Sequence, residues 1–411
     1  MAILRSLRTA RACRSGSFFV VPRPIYAYLD ACHQRGRNSR GYAMKQSDPL
    51  KILFYGSDNF SCASLSALVA EKETNPGLIE SIEVVVRPGK PFGRGLKMKR
   101  EVPLQKLAEK LALVVHERDT NTGWTPNFPY NLIVAVSFGL MIPARLIRAA
   151  KYGGLNLHPS MLPDLRGAAP LHHTLLQNRT HIGVSLQTLH ETSFDHGLIL
   201  AQTPAPGLSI PEDCTLDELH ELVTPIAADM LATGLRTGIH VAPQQSVGWV
   251  PPADYKLLEA RRLEKRDLRI DWKSWTAQEV VQRRKVLGPL WTHFRSPSGA
   301  LTRVQFTEVD WSAQRKPLLD AGKKDFENLG PVELISVNED EGTESVSLVR
   351  PLGFTEDESV VLQMRCGGYL KVRQIKLAGK GQPTSALLGF RGLYTETKDD
   401  WRKLNNQKLA C

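Results

Sequence analysis

The residues with the greatest capacity for chemistry lie in one string, Gly153-Gly-Leu-Asn-Leu-His-Pro-Ser-Met-Leu-Pro-Asp-Leu-Arg-Gly-Ala-Ala-Pro170. Asn156 and His158 stand two apart, the spacing that puts both side chains on one face of a strand. Pro159 has no N–H to give to a ladder, so it ends regular pairing and leaves both side chains at the strand's C-terminal edge. Open α/β sheets take their ligands at that edge. An Asn amide can donate to a developing oxyanion, and an imidazole can move protons near neutral pH. Such a pair needs a carboxylate to orient the imidazole. Asp195 in Phe194-Asp-His-Gly197 supplies one, and Gly197 permits close backbone approach. An Asn-x-His pair by itself is also what any polar strand end looks like, so the weight rests on the complete string.

A second string carries charge. Arg87, Lys90, Arg94, Lys97, Lys99 and Arg100 fall within fourteen residues that contain no Asp or Glu. Gly89, Gly93 and Gly95 predict flexibility. Charge alone describes a solvated surface loop. Placed after the second strand, at the edge where the site is expected, a mobile cationic loop can grip nucleic-acid phosphates and stack Phe92 on a base.

The elements that must position these strings show in the alternation of periods. Residues 51–55 form a short apolar run that stops at Gly56, the pattern of a buried strand feeding a turn. Residues 59–69 have helical apolar spacing, 82–86 read as a second strand, and 103–111 read as a helix with proline in its first turn. Residues 113–115, 132–136 and 155–157 are further strand-like runs. Strands alternating with helices at this period predict a mostly parallel sheet with helices on both faces. Thr215-Leu-Asp-Glu218 is a capping box opening a helix that Pro225 is expected to kink or divide. Residues 241–254 turn to Pro, Gln, Gly and Ser and read as a linker. Beyond it, Thr276-Ala-Gln-Glu279 is another capping box, and 346–349, 360–364 and 369–376 are short β-like runs between charged, Gly-rich turns. That pattern suits a small β-barrel, with acidic residues 338–344 as a solvated loop.

With these pieces in place, Asn156-x-His158-x-Ser160-x-Leu162-Pro163-x-x-Arg166-Gly167-Ala168-Ala169-Pro170, followed by Asp195-x-Gly197, resembles the formyltransferases that use 10-formyltetrahydrofolate. The Arg-Gly-Ala-Ala-Pro ending is most similar to the branch of that family that formylates methionyl-tRNA. Residues 54–60, the basic residues 87–95, Ser137 to Pro143, Arg269-Ile-Asp-Trp272 and Leu377-Ala-Gly-Lys380 also resemble family segments, so the similarity spans nearly all of 51–390. Met161 stands where the family usually has Leu, Ser57-Asp58 replaces Thr-Pro, and Ser137 replaces Ala; no catalytic side chain is removed.

The resemblance implies an α/β, Rossmann-like catalytic domain over 51–240, the linker 241–254, a C-terminal OB-like β-barrel over 255–395 that binds tRNA, and a tail 396–411. It implies direct transfer of formyl from 10-formyltetrahydrofolate to the α-amine of methionyl-initiator tRNA. In that reading Asn156 and protonated His158 stabilise the oxyanion, and Asp195 holds His158 and helps remove the amine proton. Ser137, Phe138, Gly139, Leu140 and Pro143 line the folate pocket, with Ser160, Met161, Leu162 and Pro163 against the pteridine. Arg87, Lys90, Arg94, Lys97, Lys99 and Arg100 take the tRNA acceptor stem. Arg261, Arg262, Lys265, Arg266, Arg283, Arg284 and Lys285 are expected to add a second contact, while Ile270 and Trp272 pack in the core. No metal, no covalent enzyme intermediate and no membrane are expected, and the chain is expected to be a monomer.

Composition agrees with a chain of two to three domains in which no apolar run is long enough to span a membrane: 411 residues, 42% hydrophobic, and a net charge of +11. Residues 1–50 carry eight Arg and one Lys against two Asp, a net of +7; residues 51–254 carry 17 basic and 19 acidic groups; residues 255–411 carry 27 and 21. Arg5, Arg8, Arg11 and Arg14 alternate with Leu4, Leu7 and Ala10, and no acid precedes Asp30, the composition of a mitochondrial presequence. The mitochondrial matrix is therefore the expected compartment. Six cysteines without a C-x-x-C pair indicate neither zinc nor a disulfide framework. Other readings are a folate enzyme acting on a small amine such as a ribonucleotide or sugar nucleotide, and a noncatalytic RNA-binding protein on the same scaffold. A dinucleotide-binding dehydrogenase is opposed by the lack of G-x-G-x-x-G after Gly56.

Overall fold

A computed structural model describes residues 45–93, 95, 97–295, 301–313, 332–338, 343–349, 351–355, 357–364 and 368–394. Of the presequence and leader expected over residues 1–50, residues 1–44 lie outside them, as do Arg94, most of the acidic stretch 338–344 and the tail 396–411. Among the described residues no helix is long and apolar enough to cross a membrane.

The N-terminal half contains β1 (Leu50–Gly56), α1 (Asn59–Thr74), β2 (Ile79–Val86), β3 (Pro91–Phe92), β4 (Met98–Lys99), α2 (Pro103–Lys110), β5 (Val114–Glu117), β6 (Leu132–Val136), α3 (Ala144–Ala149), β7 (Gly154–His158), α4 (Pro170–Leu176), β8 (His181–Ile182), β9 (Ser185–Thr188), β10 (Ile199–Gln202), β11 (Leu208–Ser209) and α5 (Leu216–Arg236). A seven-stranded sheet runs in the order β10-β9-β7-β6-β1-β2-β5. The five strands β7, β6, β1, β2 and β5 are parallel, as the alternation predicts, and β9 and β10 turn antiparallel beyond β7. Leu50, counted with the leader, is instead the fully buried first residue of β1.

Continuous apolar runs form these strands because both faces of the sheet are covered. Ile52 and Phe54 enter a core with Leu65 and Leu68 of α1, Leu104 of α2 and Leu219 and Val223 of α5. Leu53 and Tyr55 enter the opposite core with Phe138, Ile142 and Leu146. Asp58 caps α1 by accepting from Ser61 N at 3.0 Å. The box at Thr215 forms in both directions: Glu218 N donates to Thr215 Oγ1 at 3.2 Å, and Thr215 N donates to Glu218 Oε2 at 2.8 Å. Pro225 does not divide α5, which runs from Leu216 to Arg236. Proline removes one backbone donor there, and the adjacent Thr224 hydroxyl donates to the His220 carbonyl at 2.6 Å.

The C-terminal region holds α6 (Ala277–Leu287), β12 (Leu290–Arg295), β13 (Leu301–Ser312), β14 (Val332–Asn338), β15 (Thr343–Val349), β16 (Pro351–Phe354), β17 (Val360–Gln363), β18 (Tyr369–Leu377), β19 (Thr384–Ser385) and α7 (Ala386–Tyr394). Its strands form one eight-stranded sheet, β15-β14-β12-β13-β18-β17-β16 with β19 on β18, a curled antiparallel half-barrel consistent with an OB-like domain. Ile270 and Trp272 are buried at its entry as expected, and the Trp272 indole donates to Thr292 Oγ1 at 3.0 Å.

The segment before β1 docks on the end of the α5 region. Lys45 Nζ donates to the carbonyls of Val241 and Pro243 at 2.8 and 2.7 Å, and His240 Nε2 lies 2.8 Å from Ser47 Oγ. His240 is 1% exposed, and its Nδ1 has no partner among the described residues. Burial, and then the Lys45 charge, push its pKa from 6.5 down to about 4. The folded state therefore binds this proton less readily than the unfolded chain. The stability that neutral His240 contributes is complete above pH 6.5 and is lost as pH falls toward about 4. His240→Asn is expected to flatten the decline of melting temperature across that window. An unchanged slope in the variant would contradict this.

Candidate active site

Asn156 and His158 close β7, and β9 runs back antiparallel beside them, pairing Asn156 with Gln187 and His158 with Ser185. Asp195 comes from the connection between β9 and β10 and holds a left-handed φ of 57°. The three residues expected to form the site are brought together. His158 Nδ1 lies 3.4 Å from Asp195 Oδ1, and Asn156 is joined to the same carboxylate oxygen through Gln187. Asp195 Oδ2 accepts from Gly167 N at 2.9 Å, and its backbone carbonyl accepts from Arg166 Nε at 2.8 Å.

The imidazole is almost fully buried, and both ring nitrogens face acceptors. Nε2 is 3.0 Å from the Leu165 carbonyl, which can only accept, so Nε2 carries a proton. Nδ1 faces a carboxylate oxygen. Asn156 donates through Nδ2 to the Ala135 carbonyl at 3.1 Å, and its Oδ1 accepts from Gln187 Nε2 at 3.0 Å. A primary amide has two N–H groups, so one bond to Ala135 leaves a second available to a ligand oxygen.

The residues expected to face folate divide into two kinds. Ser137 and Gly139 are exposed in left-handed conformations, φ 52° and 76°, just beyond β6. Phe138 between them turns inward, edge-on to Tyr55 at 4.8 Å between centroids, and Leu140 packs beside the same core. Pro143 caps α3. A ligand at this turn would meet mostly backbone and small side chains. Ser160 and Leu162 are also buried. Ser160 Oγ donates to the Asp164 carbonyl at 2.7 Å, and Leu162 N donates to Ser185 Oγ at 3.1 Å. Met161 and Pro163 are half-buried and remain the members of that stretch with side chains at the surface.

The loop after β7 is laced to the segment that leads into the C-terminal half. Leu165 N donates to the Leu258 carbonyl at 2.8 Å, Ala260 N to Arg166 O at 2.7 Å, and Ala169 N to Ala260 O at 3.0 Å. Asp164 is buried and accepts from the Tyr255 hydroxyl at 2.8 Å and from Leu258 N at 2.9 Å, with Arg179 at 3.2 Å. Gly167 is required here: its φ is 122°, and a Cβ would stand 2.5 Å from the Ala260 carbonyl oxygen.

The basic loop is a short hairpin, with Phe92 paired to Met98 and Pro91 to Lys99. Lys90, Lys97, Lys99 and Arg100 are exposed; Arg94 lies outside the described residues. Arg87 is half-buried and pairs with Asp119 at 3.2 Å. Phe92, expected to be free for a base, carries the Arg100 guanidinium over its ring at 5.9 Å. In the C-terminal half, Arg261 pairs with Asp267, Arg266 with Glu264, and Lys285 with Asp213. Arg284 donates to the Thr307 carbonyl, and Arg283 lies over Trp275 at 4.2 Å. These five cations already have intramolecular partners, because charge counting along the chain does not see acids and carbonyls brought in by the fold.

Gln187 was not distinguishable in the sequence, where Ser-Leu-Gln-Thr reads as an ordinary alternating strand. Only its register against Asn156 reveals it.

A protein family described as formyl transferase matches residues 50–231. The chain is 34% identical over 321 residues to the mitochondrial methionyl-tRNA formyltransferase of Saccharomyces cerevisiae, covering 67% of this chain and 78% of that protein. It is 30% identical over 288 residues to the mitochondrial methionyl-tRNA formyltransferase of Homo sapiens, covering 69% and 68%. The corresponding Mus musculus protein is 30% identical over 258 residues, covering 62% of each chain.

Proposed function

The chain belongs to the methionyl-tRNA formyltransferases, and from that membership we propose that it transfers the formyl group of 10-formyltetrahydrofolate to the α-amine of methionyl-initiator tRNA in the mitochondrial matrix, for initiation of translation there. The observation that carries the reading is the convergence of Asn156, His158 and Asp195 at the C-terminal end of β7.

The amine nitrogen attacks the formyl carbon, and a tetrahedral intermediate with an oxyanion forms. The second Nδ2 hydrogen of Asn156 and the positive charge of His158 stabilise that oxygen. The new N–C bond is kept, the bond from carbon to N10 of the folate breaks, and the proton lost by the amine passes by way of Asp195 to the departing N10. Asp195 Oδ1 accepts from Gln187 and faces His158 Nδ1, while Oδ2 accepts only from Gly167 among the described residues; a carboxylate has about four acceptor positions in all, so room remains on Oδ2 for the incoming proton. The exposed turn at Ser137 and Gly139 fits a flat heterocycle held through backbone groups, with Met161 and Pro163 beside it.

The hairpin cations Lys90, Lys97, Lys99 and Arg100 are proposed to meet phosphates of the acceptor stem. Lys97→Ala and Lys99→Ala are each expected to lower the salt slope of tRNA binding by about one unit. Both sites are exposed, so melting should hardly move. Unchanged affinity and slope in the double variant would remove the hairpin from the interface. The function itself is tested by offering charged initiator tRNA together with an amino-sugar nucleotide as competing acceptors. Formyl is expected on the tRNA; formyl on the small amine alone would overturn the proposal.

A further inference from the structure

Gln187 sits on β9, 1% exposed, directly opposite Asn156. Every polar atom of its side chain is engaged. Nε2 donates to Asn156 Oδ1 at 3.0 Å and to Asp195 Oδ1 at 2.9 Å, and Oε1 accepts from Gly197 N at 3.1 Å. A primary amide has two N–H donors and one oxygen, so no donor is left over and the amide has one orientation. If it flipped, its oxygen would face two acceptors and its nitrogen would face a backbone N–H.

This orientation determines that of Asn156. An Asn amide can turn by 180° at little steric cost and exchange donor for acceptor. Here Gln187 donates to Oδ1 while Ala135 O accepts from Nδ2 at 3.1 Å. Reversal would set Oδ1 against a carbonyl oxygen and Nδ2 against an amide donor. The donor that a formyl oxygen requires is therefore presented in advance. The same Gln187 nitrogen holds the carboxylate that faces His158, and Oε1 tethers Gly197, two residues beyond Asp195. Asp195 is in a left-handed conformation, which needs such external restraint in a residue other than glycine. A Cβ at Gly197 would lie 1.8 Å from the Thr188 carbonyl oxygen, so the tether runs through a point where the chain has no freedom to move away.

We infer that Gln187 is a positioning residue for formyl transfer, one amide that fixes both the donor face of Asn156 and the carboxylate of Asp195. The inference rests on the formyl-transfer reading and adds to it a residue outside the three expected to touch the substrates. It requires loss of Gln187 to reduce turnover far more than binding, because the contacts it governs matter where charge develops.

The test uses Gln187→Glu, which keeps size and shape, and Gln187→Leu, which removes all three hydrogen bonds. In Gln187→Glu, the ionised side chain faces Asp195 Oδ1 and Asn156 Oδ1 with acceptors only. The charged groups around it are Asp195, His158 on β7 and Arg166, whose Nε holds the Asp195 carbonyl. Protonating the new carboxyl restores one donor. Gln187→Glu is therefore expected to lower kcat on the order of 10²-fold at pH 8, with KM for tRNA and folate unchanged, and to recover relative to the parent as pH falls toward 6. Gln187→Leu is expected to lose a similar factor without that recovery. Circular dichroism and thermal melting show whether each variant is folded. If folded Gln187→Glu keeps the parent kcat, or its loss has the parent's pH dependence, the inference is overturned. Asn156→Ala, assayed alongside, separates the two claims. Impaired Asn156→Ala with active Gln187 variants removes only the positioning role, whereas active Asn156→Ala removes the reading beneath it.

Discussion

Asn156→Ala is expected to slow formyl transfer by about 10²–10³-fold while tRNA and folate still bind. The expected loss follows from where the amide acts. One Nδ2 hydrogen is committed to Ala135 O at 3.1 Å, and Oδ1 is committed to Gln187 at 3.0 Å. What alanine deletes is the remaining donor, which strengthens as the formyl oxygen gains charge. Such a contact acts on kcat and leaves ground-state binding largely intact. Alanine also leaves the Gln187 donor and the Ala135 carbonyl short of a partner, at a cost of about 1–3 kcal/mol, so folding should be verified by melting. His158→Ala is expected to be similarly slow, and Asp195→Asn should fold while losing rate. Single-turnover rates with both substrates saturating separate these effects. Parent-like turnover in Asn156→Ala would rule out its role.

Gly167→Ala has the second large effect expected. The φ of 122° is a conformation that L residues rarely adopt, and the added carbon would press on Ala260 O at 2.5 Å and Ala260 C at 2.9 Å. Neither atom is a flexible side-chain end. Relief requires the loop after β7 to part from residues 258–260, breaking the bonds from Ala260 N to Arg166 O and from Ala169 N to Ala260 O. It also draws the Gly167 N–H away from Asp195 Oδ2. Strain of this kind costs about 1–3 kcal/mol, which for a protein of this size lowers the melting temperature by several degrees. A displaced Asp195 loosens His158, and misplacement near 1 Å costs on the order of 10² in rate. Steady-state kinetics with a thermal melt test this; unchanged kcat and melting temperature would show that the loop and the 258–260 segment are not coupled.

The parts of the site visible in the sequence are those whose residue types carry chemistry at fixed local spacing. Asn156 and His158 share a strand, and Pro159 marks its end. Asp195 was found because a carboxylate was needed and Gly197 followed it. The parallel strands were readable because burial on both faces gives runs such as those of β1 and β6. The antiparallel return through β9 and β10 was not readable. Its strands span four residues each and mix Ser, Gln and Thr with Leu and Ile, because their polar side chains are bonded to the site. Gln187 and Ser185 take their meaning from register, and register is a property of the folded sheet. The same holds for the cations. Arg261, Arg266 and Lys285 are charges in the sequence, but in the fold they are halves of ion pairs with Asp267, Glu264 and Asp213.

The most direct measurement is a single turnover of the full chain with formyl-labelled 10-formyltetrahydrofolate and charged initiator tRNA, followed by ester hydrolysis and identification of the labelled amino acid. Label is expected on the α-nitrogen of methionine, in amounts that match the enzyme present, and at a rate that falls about 10²–10³-fold in Asn156→Ala with both substrates bound. Methionine that emerges unlabelled, or a rate that is the same in parent and variant, would contradict the assignment of formyl transfer to the Asn156, His158 and Asp195 cluster.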